Sequence, residues 1–389
     1  MERSLISKKY QTITPTAMGG SGDIASSMPN LVNFSLGDPD VTTPEKIIDL
    51  AFADAKKGHT HYTSFYGDEE LIDEIVRFQK EEYGLNISRE NVFITTSACH
   101  GMWLALEGLL DEGDEVIIPD PYFTPYPSQV ELCGGVPVFL PTYEEEEFQI
   151  SLERLEERIT EKTKAIIVNT PNNPTGACLS KERLEAIGAL AKKHNFIVIS
   201  DDIYTSFSYE EEFFPLNTLE DSFSHTVTLR SFSKNYAMTG WRLGYIIADA
   251  SFIKVVKEIN ENNVFTAPSI SQRAGIYAIR YRKEFQPELI ETYKKRTFYA
   301  YERIKRLKNA SMLEPKGTFY LFVNIKETGL SSEEVADRLV KEAQVLTIPG
   351  DAFGKCGEGY IRLAVTVDEK AIDEAFDRIE KMDIFGGKK

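Results

Sequence analysis

Cysteine and histidine are both scarce in this chain. Its four cysteines, Cys99, Cys133, Cys178 and Cys356, are widely spaced over 389 residues, with no Cys-x-x-Cys pair. That spacing excludes a disulfide scaffold and reads as reduced thiols. Of the five histidines only His59 and His61 lie close together, in a polar segment followed by Tyr62, too few ligands for a metal site. Long apolar runs are missing: none reaches the ~20 residues a membrane span requires. The start, residues 1–9, has no apolar core of a secretion signal. A cytoplasmic location is the default expectation. Positive charge is also in the minority, with 44 Lys and Arg against 61 Asp and Glu, a net −17. Nucleic acid and anionic membrane are thereby excluded as natural partners. An anionic ligand would have to be met by a locally cationic site.

What is present is an ordinary globular composition, 42% apolar and 11% aromatic, on a chain long enough for two domains. From about residue 44 helical and strand-like segments alternate. Thr43 offers a capping hydroxyl and Pro44 a first helical residue, followed by Ile47, Ile48 and Ala51, with Gly58 closing the element. A second helix, 68–83, carries Leu71, Ile72, Ile75 and Val76 on one face and stops at Gly84. Short apolar runs at 92–94, 116–118, 165–168, 196–199, 227–229 and 245–248 are apolar at consecutive positions, as strands covered on both faces are. The expected fold class is therefore α/β: a mostly parallel central sheet with helices on both faces, plus a smaller α/β domain. The expected division is an N-terminal segment, 1–45, joining a small C-terminal domain, 286–389, beside a large domain, 46–285. The small domain would open with a charged helix, 287–307.

In open α/β sheets ligands bind beyond the carboxyl ends of the strands, and polar residues gather there repeatedly. Thr95-Thr96-Ser97-Ala98-Cys99 follows the first run, and Asn169-Thr170-Pro171-Asn172-Asn173-Pro174-Thr175-Gly176 follows the third. Ser200-Asp201-Asp202-Ile203-Tyr204 follows the fourth, and Arg230-Ser231-Phe232-Ser233-Lys234 the fifth. Singly, each has a plain alternative: a helix cap, a turn, a solvated acidic pair, a lysine in a polar loop. Together they converge on one crevice. Lys234, Ser231, Ser233 and Arg242 lie within one short stretch. An amine that joins an aldehyde cofactor, beside hydroxyls and a guanidinium fork for a phosphate, has this composition.

The stretch Ser231-Phe232-Ser233-Lys234-Asn235-Tyr236-Ala237-Met238-Thr239-Gly240-Trp241-Arg242 resembles the cofactor-lysine signature of fold-type I pyridoxal-phosphate aminotransferases, the class I/II aspartate aminotransferase family. Asn-Pro-Thr-Gly and Ser-Asp-x-Ile-Tyr, in the same order and spacing, extend the resemblance over nearly the whole chain. It implies pyridoxal 5'-phosphate as cofactor and a Schiff base on Lys234, which then shuttles the proton between the substrate Cα and the cofactor. Asp201, three before Tyr204, would face the pyridine nitrogen, and Tyr204 and Asn173 the phenolic oxygen. Ser97, Ser231, Ser233, Arg242 and the N–H groups of Ala98 and Cys99 would take the phosphate, and Phe123 would stack on the ring. Tyr62 would reach the phosphate of a neighbouring subunit, which implies a homodimer with shared active sites. Arg362 and Gly37, with Asn173, would meet the substrate. On residues alone Arg362 reads equally as a surface residue at a strand edge.

Some members of the family grip a distal substrate carboxylate with a lysine where this chain has Cys99. That leaves aspartate, aromatic and other neutral amino donors open, with a 2-oxo acid such as 2-oxoglutarate as acceptor in a ping-pong cycle. Phe65, Tyr66, Trp103 and Phe123 suggest a roomy apolar pocket. A C–S β-lyase on the same fold is the alternative enzyme, and a non-catalytic cofactor-sensing module the remote one.

Overall fold

The computed structural model describes residues 5–7, 10, 24, 26, 28, 30–219 and 222–386. Most of the expected segment 1–45, including most of the start examined for a secretion signal, lies outside the described residues. Among the described residues twelve strands are formed: β1 (Val32–Asn33), β2 (Val92–Thr95), β3 (Glu115–Asp120), β4 (Val136–Pro141), β5 (Thr163–Asn169) and β6 (Ile197–Asp201), then β7 (Thr226–Ser231), β8 (Gly244–Ile247), β9 (Tyr320–Asn324), β10 (Val345–Leu346), β11 (Ile348–Pro349) and β12 (Tyr360–Ala364).

Seven of them form the central sheet, in the order β2-β8-β7-β6-β5-β3-β4. All neighbours are parallel except β8, which runs against both β2 and β7. The consecutive apolar runs are explained by what covers each face. Val116, Ile118, Ala165, Ile167, Ile199 and Leu229 point to one side, with side chains of the helices Ala98–Leu109 and Ala250–Glu261. Ile117, Ile166, Val168 and Val198 point to the other, where Leu184, Ile187 and Ala191 of the helix Lys181–His194 cover them. Successive strand residues alternate faces, so a sheet covered twice has no polar side to show. The expected six strands are all present. The one the sequence hides is β4, whose Pro137 and Pro141 mask it; as the edge strand beside β3 it tolerates them.

Helix ends follow the expected chemistry at one place and depart from it at another. Asp68 caps the helix Glu69–Tyr83 by accepting from the Glu70 and Leu71 N–H groups, and Gly84, at φ 67°, ends it. The helix Glu45–Lys56 has Pro44 as its cap residue and no side-chain cap bond. Thr43 does not cap it: its hydroxyl donates to the Ala237 carbonyl at 2.6 Å and accepts from the Trp241 indole at 3.0 Å. The helix expected from 287 instead begins at Ser269 and runs unbroken to Ile304 with Pro287 inside it. Pro287 is exposed, so the carbonyl left without a donor can face water. The expected boundary at 285/286 thus falls within one helix.

Beyond that helix, β11, β12 and β9 make a three-stranded antiparallel sheet with β12 in the middle. β1 pairs in parallel with β10, and the Phe34 carbonyl accepts from Ala364 N–H, so residues 32–34 pack among these strands. Phe34, Phe319, Ile361 and Phe376 are buried in their common core.

Thr43→Val should leave the Ala237 carbonyl and the Trp241 indole without their partner. A loss of about 1–3 kcal/mol is expected in denaturant unfolding, although no apolar contact is removed.

Candidate active site

Strand register brings the polar residues together. Asn169 is paired with Asp201, and Asp201 with Leu229, so the carboxyl ends of β5, β6 and β7 lie side by side. Around them opens a cavity of about 300 Å³. It is lined by Gly37, Ser97, Ala98, Cys99, Phe123, Asn173, Asp201, Tyr204, Ser231, Ser233, Lys234 and Arg242. Those are twelve of the fourteen expected site residues.

Lys234 lines the cavity, its amine donating to the Gly37 carbonyl. Burial pushes that amine down to about 8, aided by the positive Arg362 and Arg242 and opposed by Asp38. The loop that carries it is held in an unusual backbone shape, with Ala237 at φ 51° and Arg242 at φ 53°. Its ties to Thr43 hold that shape.

Asp201 is buried. The Tyr126 hydroxyl donates to its Oδ2, while Oδ1 is buried with no hydrogen-bond partner among the described residues. Burial lifts the carboxyl to about 7, the Tyr126 bond pulling it down and negative Asp202 pushing it up. Asp202 lies outside the cavity, accepting from Ser200 at 2.6 Å and paired with Arg230 at 3.2 Å. The unpartnered Oδ1 asks for a cationic or N–H partner.

At the other end of the cavity the helix Ala98–Leu109 starts, its Ser97 cap accepting from His100 N–H at 3.1 Å. The N–H groups of Ala98 and Cys99 sit in that first turn, beside Ser231, Ser233 and Arg242. Gly244 of β8 crosses so close that a Cβ there would lie 2.7 Å from Ala98 N, which restricts the position to glycine. Hydroxyls, a guanidinium and a helix N-terminus make an anion cup inside an acidic protein.

Arg362 is not a surface residue: it lies on the middle strand β12 and is fully buried. Its guanidinium donates to Asn173 Oδ1 at 3.0 Å and to the Ser35 carbonyl, just beyond the cavity wall. Asn173 is itself fixed through its N–H, which donates to Asn169 Oδ1 at 2.9 Å. Tyr62 does not line this cavity; it is 79% exposed and packs edge-on against Phe265 at 4.8 Å.

The expected apolar wall is different from the one present. Phe65 packs on Phe265, Tyr66 on Phe93, and Trp103 on His100; of the four aromatics only Phe123 faces the cavity. Leu36, Met102, Ile203 and Tyr320 supply the rest. Tyr126 was missed too, although it lies only three residues after Phe123 at the start of the helix Pro125–Leu132. Tyr320 sits in a plain apolar run and gives no local signal.

A family model described as aminotransferase class I and II matches residues 29–379. The chain belongs to that family. It is 39% identical over 360 residues to an aspartate aminotransferase of Pyrococcus horikoshii, covering 92% of each chain. It is 35% identical over 381 residues to aromatic-amino-acid aminotransferase 2 of Thermococcus litoralis, covering 97% of this chain and 98% of the other. The structure of Thermus thermophilus aspartate aminotransferase with maleate matches with a TM-score of 0.91 at 31% identity, over 97% and 99% of the two chains. The protein is an enzyme, a pyridoxal-phosphate-dependent aminotransferase, and neither the lyase nor the sensor alternative is favoured. Its cavity fits the cofactor: an amine with a lowered pKa, an unpartnered carboxylate oxygen and an anion cup lie at its edges.

The sign of the Lys234 shift gives a pH test. Only the neutral amine attacks an aldehyde, and its fraction grows as pH rises toward the pKa. Cofactor-free protein should capture pyridoxal phosphate about tenfold faster per pH unit up to about 8, then level off. A rise continuing toward the usual lysine range would show an unshifted amine. Stopped-flow absorbance measures it.

Proposed function

We propose that this aminotransferase moves the amino group of an L-α-amino acid to a 2-oxo acid such as 2-oxoglutarate in two half-reactions through a Schiff base on Lys234. Aspartate, aromatic and other neutral donors all remain candidates. The observation that carries this reading is the meeting of Lys234, the unpartnered Asp201 Oδ1 and, just behind the wall, Arg362 around one cavity. The bound cofactor supplies the aldehyde that receives the amino group and a ring that spreads the negative charge left when Cα–H is lost.

The chain's own residues do the rest. Lys234 would hold the cofactor's aldehyde and carry the substrate's Cα proton, and a pKa of about 8 leaves part of its amine neutral near pH 7. Asp201 would face the ring nitrogen as a carboxylate and keep it protonated. Tyr204 and the amide N–H₂ of Asn173 hold the phenolic oxygen. Ser97, Ser231, Ser233, Arg242 and the Ala98 and Cys99 N–H groups take the phosphate, with Phe123 against the ring. Arg362 takes the α-carboxylate in its planar fork, and Gly37 lets the backbone approach the substrate.

The exposed Tyr62, packed on Phe265 outside its own cavity, supports a homodimer in which it completes the partner's site. We place the enzyme in the cytoplasm; no helix of the described residues is long and apolar enough to cross a membrane. The joining of the N-terminal segment 1–45 to the small domain, 286–389, beside the large domain, 46–285, is supported by the pairing of β1 with β10, while the helix Ser269–Ile304 runs across the boundary between the two domains.

A panel of amino donors with 2-oxoglutarate tests the reading; no transfer from any donor by cofactor-loaded protein would overturn it. Lys234→Ala should remove the visible absorption of the lysine–cofactor bond without unfolding the protein. Arg362→Ala should raise KM for amino and oxo acids by about 100-fold, the worth of a charged fork, while cofactor retention changes little. Steady-state kinetics and a retained phosphate-bound cofactor after gel filtration separate the two effects.

A further inference from the structure

Tyr320 touches three parts of the site at once. It begins β9 and faces Ala364 of β12, while Phe322 faces Arg362. Residues two apart on a strand share a face, so Tyr320 is the diagonal neighbour of Arg362. Its ring centroid lies 4.6 Å from the guanidinium carbon, and a second ring, Phe353, lies 4.8 Å from the same carbon. Its hydroxyl oxygen is 3.0 Å from that of Tyr204, and both tyrosines are buried. That hydroxyl also fills the space of the side chain Gly37 lacks: a Cβ there would meet it at 1.8 Å.

Two hydroxyls 3.0 Å apart share one proton, so one of them donates. If Tyr204 spent its proton on Tyr320, it would have none for the cofactor's phenolic oxygen. The opposite polarity satisfies both: Tyr320 donates to Tyr204, and Tyr204 donates onward. Chains of this kind polarise one another in a buried site, so the outer donor strengthens the inner one.

We infer that Tyr320 is a positioning residue for the reaction. Its hydroxyl sets how strongly Tyr204 supports the phenolic oxygen, and its ring holds the Arg362 fork for the substrate carboxylate. One side chain thereby links carboxylate capture to the protonation of the lysine–cofactor bond. This rests on the cofactor roles proposed above for Lys234 and Tyr204.

The test uses holoenzyme and two variants. Tyr320→Phe keeps the ring and removes the hydroxyl. A phenolic oxygen with weaker donor support holds the neighbouring imine proton more tightly, so the pH midpoint of the visible spectrum should rise by about half a unit. Tyr320→Leu removes the ring as well, and the Kd of a non-reacting carboxylate, 3-phenylpropionate, should rise about tenfold by calorimetry. The phenylalanine variant should weaken that binding much less. A phenylalanine variant titrating at the parent midpoint would overturn the hydroxyl's role. A leucine variant binding 3-phenylpropionate as tightly as the parent would overturn the ring's. The near-isosteric phenylalanine variant keeps the inference testable if the leucine variant does not fold. A parent protein with no visible band after addition of pyridoxal phosphate would instead count against the underlying cofactor roles.

Discussion

The site is organised around a carboxylate that the fold buries but does not fully satisfy. Asp201 has one oxygen bonded to Tyr126 and the other without a partner, and burial, helped by negative Asp202 and opposed by the Tyr126 bond, raises its pKa to about 7. A buried group left in that state destabilises the empty protein by an amount on the order of 1–3 kcal/mol. A carboxyl with a raised pKa costs nothing below its ordinary value of 3.8, opposes folding increasingly as pH rises from there to about 7, and does so in full above that. In the role proposed for Asp201, a ring N–H at Oδ1 would remove that cost and return the energy as cofactor affinity, and the parallel register of β5, β6 and β7 places the carboxylate at the cavity.

Charge is arranged by the same logic at larger scale. The chain carries −17 overall, yet Lys234, Arg242 and Arg362 cluster at one cavity and its edge, with a helix N-terminus facing them. Two of these cations repel the Lys234 amine, and burial adds a larger push in the same direction. The features that attract a phosphate and a carboxylate therefore also keep the lysine partly neutral. Asp202 would be a second destabilising carboxylate beside Asp201, but Arg230, whose guanidinium lies 4.8 Å from the Tyr83 ring, offsets part of its burial. Only one of the two acids is left open to the cavity.

How much of this was legible in the sequence depends on whether a residue's partner is near it in the chain. The six main strands were readable because a doubly covered strand must be apolar at successive positions, and the polar residues after them had to fall at one edge. Partners in space were not readable. Thr43 looks like a helix cap, but tertiary contacts with Ala237 and Trp241 claim its hydroxyl. Pro287 looks like a helix start, but an exposed turn tolerates it. Phe65, Tyr66 and Trp103 have the composition of a pocket wall and face elsewhere, because composition near a site says nothing of direction. Arg362 is ambiguous alone and becomes a buried fork only when β12 is flanked by β11 and β9.

Tyr320 shows where such reading ends and why. Nothing in Thr318-Phe319-Tyr320-Leu321-Phe322 separates one core aromatic from another. Its significance comes from a register, β9 against β12, that sets it diagonal to Arg362, and from a missing side chain at Gly37, nearly three hundred residues earlier. A glycine in a substrate loop invites an explanation by backbone freedom. Here the nearer reason is space: the atom that would occupy it is a tyrosine oxygen from the other end of the chain. The residues proposed to carry the chemistry announce themselves in local motifs, whereas the residues proposed to orient them are specified by the fold.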